Sequence, residues 1–429
     1  MSNTSIKVIT PRGPAKGRIR PPGSKSLTNR ALVCGALADG PTELPGALDS
    51  EDTQVMIESL RRLGVRICWE AADLLRIDGC GGAPEVRQAQ LFVANSGTTM
   101  RFLAAVLAAL GGEYLLDGVP RMRQRPIGDL LDALHALGTE AKGQFDPRLP
   151  PVVIKSRGWH GGTVQVRADQ SSQFLSGLLL AAPLARSDVQ IQVAGPVVSR
   201  PYIDMTIRVM EAFGVRVQTL PDPKGGCGYH VPAPQRYHPS RFMIEPDASA
   251  ASYFWAAAAI TGGRVCVEGL SFRSLQGDVA FCRCLEQMGC RITATDHSIT
   301  VEGGTLRGID VDMNAISDTV MTLAAVALFA EGPTRIRNVA HIRHKETDRV
   351  ADLARELQRL GAAVETTTDS ITIHPRPLHP ARIQTYQDHR MAMSFALVGL
   401  RQPGVEIENP SCVNKTYPRF FEDLDKLFT

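Results

Sequence analysis

Six short polar motifs punctuate this chain, each standing just before a run of apolar residues. They are Ser24-Lys25-Ser26-Leu27-Thr28-Asn29-Arg30, Asn95-Ser96-Gly97-Thr98-Thr99-Met100-Arg101, Asp169-Gln170-Ser171-Ser172-Gln173, Asp247-Ala248-Ser249-Ala250-Ala251-Ser252, Asn314-Ala315-Ile316-Ser317-Asp318 and Gln387-Asp388-His389-Arg390. The first turn of a helix carries unpaired backbone N–H groups and the positive end of the dipole, so it favours an anion. Taken singly, each motif reads best as an N-cap, the ordinary work of Ser, Asp and Asn. Capping does not account for Lys25, Arg30 and Arg390, whose charge opposes the dipole; those positions call for a bound anion. More cations come with the second helices: Arg121, Arg123 and Arg125 before Pro126, then Lys345 and Arg349, and finally Lys415. Lys345 and Arg349 are four apart and read as one helix face, with Glu346 and Asp348 beside them. Alone, that stretch is a solvated helix start; with the others it reads as one wall of a strongly cationic cleft. Guanidinium forks match carboxylate and phosphate groups, so a small substrate carrying both is indicated.

The elements that must position these residues repeat. Five times a large apolar residue followed by glycine closes a helix-like stretch: Leu63-Gly64, Leu137-Gly138, Phe213-Gly214, Met288-Gly289 and Leu360-Gly361. The glycines lie 74, 76, 75 and 72 positions apart, the signature of one supersecondary unit copied several times. The first copy has an apolar helix at 31–38, a break at Gly40-Pro41, a strand near 42–44, an amphipathic helix at 51–63 and strands at 65–69 and 74–77. Later apolar helices are expected at 102–110, 174–185, 253–260, 320–330 and 391–400. Matching strands are expected at 113–116, 189–193, 264–267, 334–336 and 405–407. The unit is therefore βαβαββ, and its apolar helix, having no polar face, is buried.

A sixth glycine would fall beyond Thr429, so the sixth unit lacks its closing strands. Strand-like pieces at 5–9 and 17–20 are expected to supply them, which places residues 1–22 with units four to six. Two domains of three units follow, one at 23–244 and one at 1–22 plus 245–429. Ligands are expected between domains, where clefts form.

Composition excludes several classes. With 47 basic and 44 acidic residues the net charge is only +3, which gives no general electrostatic case for nucleic acid. Nine cysteines, an odd number without regular spacing, argue against a disulfide framework and for a reducing compartment. Cys282, Cys284 and Cys290 have no second pair at ligand spacing, so no metal is expected. No Walker sequence and no GxGxxG after a strand is present, so no nucleotide cofactor is expected. No charged-then-apolar leader opens the chain, and no apolar run reaches the ~20 residues of a membrane span. A soluble, cytoplasmic protein is the expectation.

Residues 23–30, residues 95–101, Arg125-Pro126-Ile127-Gly128, Ser171-Ser172-Gln173-Phe174, Ser199-Arg200-Pro201-Tyr202, residues 345–349, Asp388-His389-Arg390 and Lys415 follow one another in a specific order and spacing. In these stretches the chain resembles the 5-enolpyruvylshikimate-3-phosphate synthase family, over nearly its whole length. The resemblance implies an α/β fold: a two-domain inside-out α/β barrel built from six repeated βαβαββ units. It implies transfer of the enolpyruvyl group of phosphoenolpyruvate to the 5-hydroxyl of shikimate 3-phosphate, with release of phosphate and no cofactor. By position, Ser26, Arg30, Ser171, Ser172, Ser199 and Tyr202 would bind shikimate 3-phosphate. Gly97, Arg125, Arg349, Arg390 and Lys415 would bind phosphoenolpyruvate, and Lys25 and Gln173 would touch both substrates. Asp318 and Lys345 would face the reacting hydroxyl, and Glu346 would give a proton to the methylene carbon, so Asp318, Glu346 and Lys25 are the expected catalytic residues.

The implied chemistry suits these residue types. Adding a hydroxyl across an enol ether needs a proton delivered to carbon and one removed from oxygen, then the reverse at elimination, and two carboxylates can serve as that pair. Cations beside Glu346 favour its ionised form, whereas a donor must carry the proton; polyanionic phosphoenolpyruvate would offset that field. Two positions depart from the family's common pattern: His341 stands where many members have asparagine, and Phe102 follows Arg101 where proline is common. The expected partners are the two small substrates, with no nucleic acid and no membrane, and the expected state is a monomer.

Two rivals are weighed. The sister enolpyruvyl transferase acting on UDP-N-acetylglucosamine uses a cysteine in the arginine-bearing loop, and residues 119–126 contain none. A non-catalytic anion-binding or RNA-binding repeat protein is disfavoured by the near-neutral charge and by the pair Asp318 and Glu346.

Overall fold

The computed structural model describes residues 5–221 and 227–428. The chain divides into two compact units, Gly23–Ile244 and Met1–Pro22 with Glu245–Thr429. In the first lie α1 (Lys25–Leu37), α2 (Glu51–Arg62), α3 (Gly97–Leu110), α4 (Gly128–Ala136), α5 (Ser172–Ala181) and α6 (Pro201–Ala212). In the second lie α7 (Ala248–Thr261), α8 (Phe281–Gln287), α9 (Val320–Ala327), α10 (Arg349–Arg359), α11 (His389–Gly399) and α12 (Phe420–Asp425).

The odd-numbered helices are the apolar ones, and they are buried all round. Every residue of α7 from Ala248 to Ile260 and every residue of α11 is buried. In the second unit α7, α9 and α11 pack on one another; in the first, α3 packs on α5 and α1 on α3 and α6. Burying three helices requires sheets and amphipathic helices around them, which is why the barrel is inside out. The even-numbered helices bury one stripe: α2 turns Met56, Ile57 and Leu60 inward and leaves Glu51, Glu58, Arg61 and Arg62 to solvent.

The five glycine stops are real. Leu63, Leu137, Phe213, Met288 and Leu360 are the C-caps of α2, α4, α6, α8 and α10. The glycine after each has φ between 81° and 109°, backbone that a residue with a Cβ resists.

In the second to fifth repeats the opening strand pairs parallel with the strand after the buried helix, and two antiparallel strands complete the sheet; the sixth has one antiparallel strand instead of two. In the second repeat Gln88–Phe92 lies parallel to Gly112–Asp117, followed by Val152–Ser156 and Glu140–Gly143. The third repeats that order with Gly162–Arg167, Val189–Ala194, Cys227–Val231 and Gln218–Pro221. The first repeat has three strands, Pro41–Pro45, Leu74–Asp78 and Arg66–Ala71, and its missing parallel partner comes from the end of the same unit. There Arg241 bridges Glu43 in parallel, Phe242 N–H donates to Glu43 O and Ile244 N–H donates to Pro45 O.

The N-terminus behaves differently from the expectation that both of its pieces close the sixth unit. Ile6–Ile9 does so, antiparallel to Val405–Glu408. Lys16–Ile19 instead lies parallel to Arg264–Glu268 and opens the fourth unit. A short strand carries its period-2 pattern in sequence but not the name of its partner.

A second correction concerns residues 345–349. Lys345 and Arg349 do not share a helix face: Ala340–His344 is a 3-10 turn, residues 345–348 are irregular and α10 begins only at Arg349. Asp348 caps α10, accepting the N–H groups of Val350 and Ala351, and a cap cannot lie inside the helix it starts.

Candidate active site

Five of the six opening motifs do cap their helices. Ser24, Ser96, Ser171, Asp247 and Asp388 each accept a backbone N–H in the first turn of α1, α3, α5, α7 and α11. The fifth motif is the exception. A 3-10 turn at Ser317–Thr319 precedes α9, no side chain caps it, and Asp318 is spent on cations instead.

In the unit Gly23–Ile244 the polar residues gather at the N-terminal ends of α1, α3 and α5. Lys25 is the first residue of α1 and Ser26 the second. Arg30, one turn on, is 2% exposed. Its Nε donates to Thr206 Oγ1 at 2.7 Å, and its other nitrogens donate to the carbonyls of Ser26 at 2.9 Å and Tyr202 at 3.0 Å. Those partners are neutral, and burial pushes the guanidinium pKa down to about 10. The guanidinium lies 5.2 Å from the Phe102 ring centroid and 5.9 Å from that of Tyr202. Ser199 has left-handed backbone, φ 51°, and its carbonyl accepts Tyr202 N–H, starting the turn into α6.

Gly97 begins α3. A Cβ built there would lie 2.5 Å from Arg125 Nη2, so the glycine is where the Arg125 guanidinium comes closest to the helix end. Arg125 is held by the Asn95 carbonyl at 3.0 Å and Asn95 Oδ1 at 3.3 Å. Arg101 ties the same loop down, donating to Gly97 O and to Pro126 O. Gln173 Nε2 donates to Thr98 Oγ1 at 3.3 Å, which joins the start of α5, with Ser171 and Ser172, to the start of α3. Asp52 accepts from Ser96 Oγ and Asn29 Nδ2, linking α1, α2 and α3 beneath the site.

In the other unit the cluster is charged and mostly buried. Arg349, 1% exposed, reaches three carboxylates. Its Nε is 2.7 Å from Asp388 Oδ2, one Nη is 2.9 Å from Glu346 Oε2 and the other 3.4 Å from Asp318 Oδ1. Burial works against its charge, but Asp388, Glu346 and Asp318 outweigh that and hold its pKa above the ordinary arginine value. Asp318 also accepts from Arg390 Nη2 at 2.7 Å and has Lys345 Nζ at 3.8 Å. Lys415 Nζ stands 3.5 Å from Glu346 Oε1.

This corrects the expectation of a strongly cationic wall. Lys345, Arg349, Arg390 and Lys415 each have a carboxylate partner, and the charge of Arg390 at the start of α11 is answered by Asp318 rather than requiring a bound anion. Buried charges left alone would be costly, so paired ones are what a stable fold presents.

Two further titratable groups belong to this neighbourhood. His341 is buried, and burial together with the charge of Lys345 lowers its pKa to about 3, so the ring is neutral. Asp278 receives a short hydrogen bond from Ser249, and burial followed by the charge of Asp318 raises its pKa to about 6. Sequence reasoning gave no role to Asp388, Asn95, Thr98, Thr206 or Asp278. The first three sit inside motifs already noticed; Thr206 and Asp278 carry no local signal. Among the described residues no group of three or more His, Cys, Asp or Glu is placed to hold a metal ion, and no helix is long and apolar enough to cross a membrane.

Comparison with known proteins follows the same lines. The sequence model of the family described as EPSP synthase (3-phosphoshikimate 1-carboxyvinyltransferase) matches residues 9–424. The chain is 47% identical over 428 residues to a 3-phosphoshikimate 1-carboxyvinyltransferase of Nostoc punctiforme, covering 98% of this chain and 100% of that one. It is 47% identical over 417 residues to the Marinomonas enzyme of the same name, covering 96% and 97%. The solved EPSP synthase of Acinetobacter baumannii is 27% identical, with a TM-score of 0.82 over 99% of this chain and 98% of that one. The chain belongs to the EPSP synthase family, and its two-unit α/β fold is the family's.

Proposed function

We propose that this protein transfers the enolpyruvyl group of phosphoenolpyruvate to the 5-hydroxyl of shikimate 3-phosphate and releases phosphate, a step of the shikimate pathway to aromatic amino acids. One observation carries the chemistry: the two nitrogens at the end of the Arg349 fork hold Glu346 at 2.9 Å and Asp318 at 3.4 Å. Two carboxylates held by one buried fork are close enough to serve one reacting centre. In the addition, the hydroxyl oxygen bonds to C2 of phosphoenolpyruvate while C3 gains a proton and the hydroxyl loses its own. In the elimination, C3 gives up a proton and the C2–phosphate bond breaks. Asp318, beside Lys345, accepts the hydroxyl proton; Glu346 serves C3; Lys25 assists as a cation touching both substrates.

The binding roles are assigned by type and place. Shikimate 3-phosphate takes Lys25, Ser26, Arg30, Ser171, Ser172, Gln173, Ser199 and Tyr202, with Asp318 and Lys345. Phosphoenolpyruvate takes Lys25, Gly97, Arg125, Gln173, Arg349, Arg390 and Lys415. Its carboxylate and phosphate would replace part of the pairing that Arg349, Arg390 and Lys415 now have with Asp318 and Glu346, leaving those carboxylates free to move protons. The eight described cysteines are all free thiols, which suits a reducing compartment, and the protein is read as cytoplasmic. The active species is read as one chain; sedimentation at a dimer's mass would overturn that.

The deciding assay is phosphate release from phosphoenolpyruvate with shikimate 3-phosphate, with UDP-N-acetylglucosamine, and with neither. Release that needs shikimate 3-phosphate and collapses in Arg125→Ala is expected. Release with the nucleotide sugar would move the protein to the sister activity. For Glu346, a pH–rate profile left unchanged by Glu346→Gln would sink its role as donor.

A further inference from the structure

The turn that delivers Asp388 to the start of α11 is strained. Tyr386 has φ 52° and Gln387 φ 57°, so two consecutive residues with side chains occupy left-handed backbone, and one of them is aromatic. Such a conformation is costly for a residue with a Cβ and persists only where the surroundings hold it.

The surroundings here are specific. The Tyr386 hydroxyl donates to Glu356 Oε1 at 2.6 Å, and the backbone N–H of Gln384 donates to Glu356 Oε2 at 3.1 Å. Glu356 is fully buried in α10, with Arg359 Nε 3.4 Å from its carboxylate. Arg355 donates to the same hydroxyl at 3.2 Å and lies 5.6 Å from the ring centroid. Asp388 N–H closes the turn on Thr385 O at 2.8 Å. The network reaches the second loop of the cluster as well, because Arg355 also pairs with Asp352, which accepts from Thr347 beside Glu346.

We propose that Tyr386 and Glu356 are positioning residues: their hydroxyl-to-carboxylate latch holds Tyr386-Gln387 in left-handed backbone and so fixes Asp388 on Arg349. The latch touches neither substrate; it acts through Arg349 and, one residue past Asp388, through Arg390. It rests on the reading of Arg349 and Arg390 as phosphoenolpyruvate ligands. Deleting the hydroxyl frees the turn, loosens the Asp388 grip and misplaces Arg349. Phosphoenolpyruvate is affected more than shikimate 3-phosphate, most of whose proposed contacts lie in residues 23–244.

The test is a cycle of Tyr386→Phe, Gln387→Gly and the double variant, with Arg390→Ala as control. Tyr386→Phe keeps the ring and is expected to lower kcat/KM for phosphoenolpyruvate about 10-fold, with KM for shikimate 3-phosphate changed less than about 2-fold. Glycine at 387 accepts left-handed backbone without strain, so a turn carrying it leans on the latch only for residue 386. In the Gln387→Gly background the same hydroxyl deletion is therefore expected to cost about 3-fold, clearly less than in the parent. An equal loss in both backgrounds, or none in either, overturns the latch while leaving the ligand assignments intact. Unchanged KM for phosphoenolpyruvate in Arg390→Ala would overturn the ligand reading, and the latch with it.

Discussion

Gly97 shows how one missing side chain shapes the site. A Cβ there would lie 2.5 Å from Arg125 Nη2 and 2.9 Å from its Cζ, and Arg125 is only 4% exposed with both Asn95 oxygens fixing it. Gly97→Ala must push the guanidinium off its place, so KM for phosphoenolpyruvate should rise by about 10-fold or more, with KM for shikimate 3-phosphate nearly unchanged. Steady-state kinetics varying each substrate in turn decides it. Single residues also set the pH response. His341 titrates at about 3 in the fold against an ordinary 6.5, so between those values the unfolded chain binds a proton the native one refuses, and stability rises with pH. Asp278 titrates at about 6 against 3.8, so the native state keeps a proton the unfolded chain has lost, and stability falls as pH rises through that window. Each slope is at most about 1.4 kcal/mol per pH unit, and over the overlap they oppose one another. Asp278→Asn removes the falling contribution, so on going from about pH 6 to about pH 4.5 it should lose more stability than the parent. His341→Asn should lose less than the parent over the same range. Urea unfolding at the two pH values tests both, and parallel curves would refute the assignment. At this scale the sequence was a good guide to residue types and a poor one to pairing. Lys345, Arg349, Arg390 and Lys415 were visible as cations, but that Asp318 answers Arg390 from 72 residues away is a product of folding.

Among the elements, the glycine caps were the most legible feature, because left-handed backbone after a helix selects one residue type at a fixed place. Gly138 isolates that effect: its φ is 84° and a Cβ there would meet nothing within 4 Å. Gly138→Ala therefore has no clash to answer for and should destabilise by about 1 kcal/mol through the backbone alone, with Gly138→Asn costing less. Gly214→Ala, whose Cβ would come 2.4 Å from His238, should cost more. Thermal unfolding of the three variants ranks them, and equal shifts would mean the caps are not what ends these helices. The buried helices were equally readable, since α7 and α11 have no polar face to mislead. Residues 345–348 were not, because charges spaced four apart look helical wherever they occur; the Asp348 cap was the overlooked sign. Strand partners were the least legible, as Lys16–Ile19 shows, because pairing is decided by which sheet has an open edge.

For the whole molecule, what matters is that each unit closes its own sheets. The first repeat takes its parallel partner from residues 240–244, at the end of its own unit; in the other unit the fourth takes its parallel partner from Lys16–Ile19, and the sixth takes an antiparallel strand from Ile6–Ile9. A polypeptide of residues 23–244 should therefore fold by itself, with a cooperative urea transition and near-ultraviolet dichroism. Stopping it at residue 239 removes the bonds Glu43 N–H to Ser240 O, Phe242 N–H to Glu43 O and Ile244 N–H to Pro45 O, and leaves Pro41–Pro45 as an open edge. At about 1 kcal/mol for each bond, the shorter fragment should be less stable by about 3 kcal/mol and more prone to aggregate. The complementary unit can be made as one chain, because Asp247 N–H lies 2.8 Å from Pro22 O, so a short linker from Pro22 to Glu245 spans the gap. On the roles proposed above, the 23–244 fragment should not release phosphate from phosphoenolpyruvate, since it lacks Asp318 and Glu346. A 23–244 fragment without near-ultraviolet signal would mean the two units fold only together, and the chain crossings near Pro22 and Glu245 would then be a seam rather than a boundary.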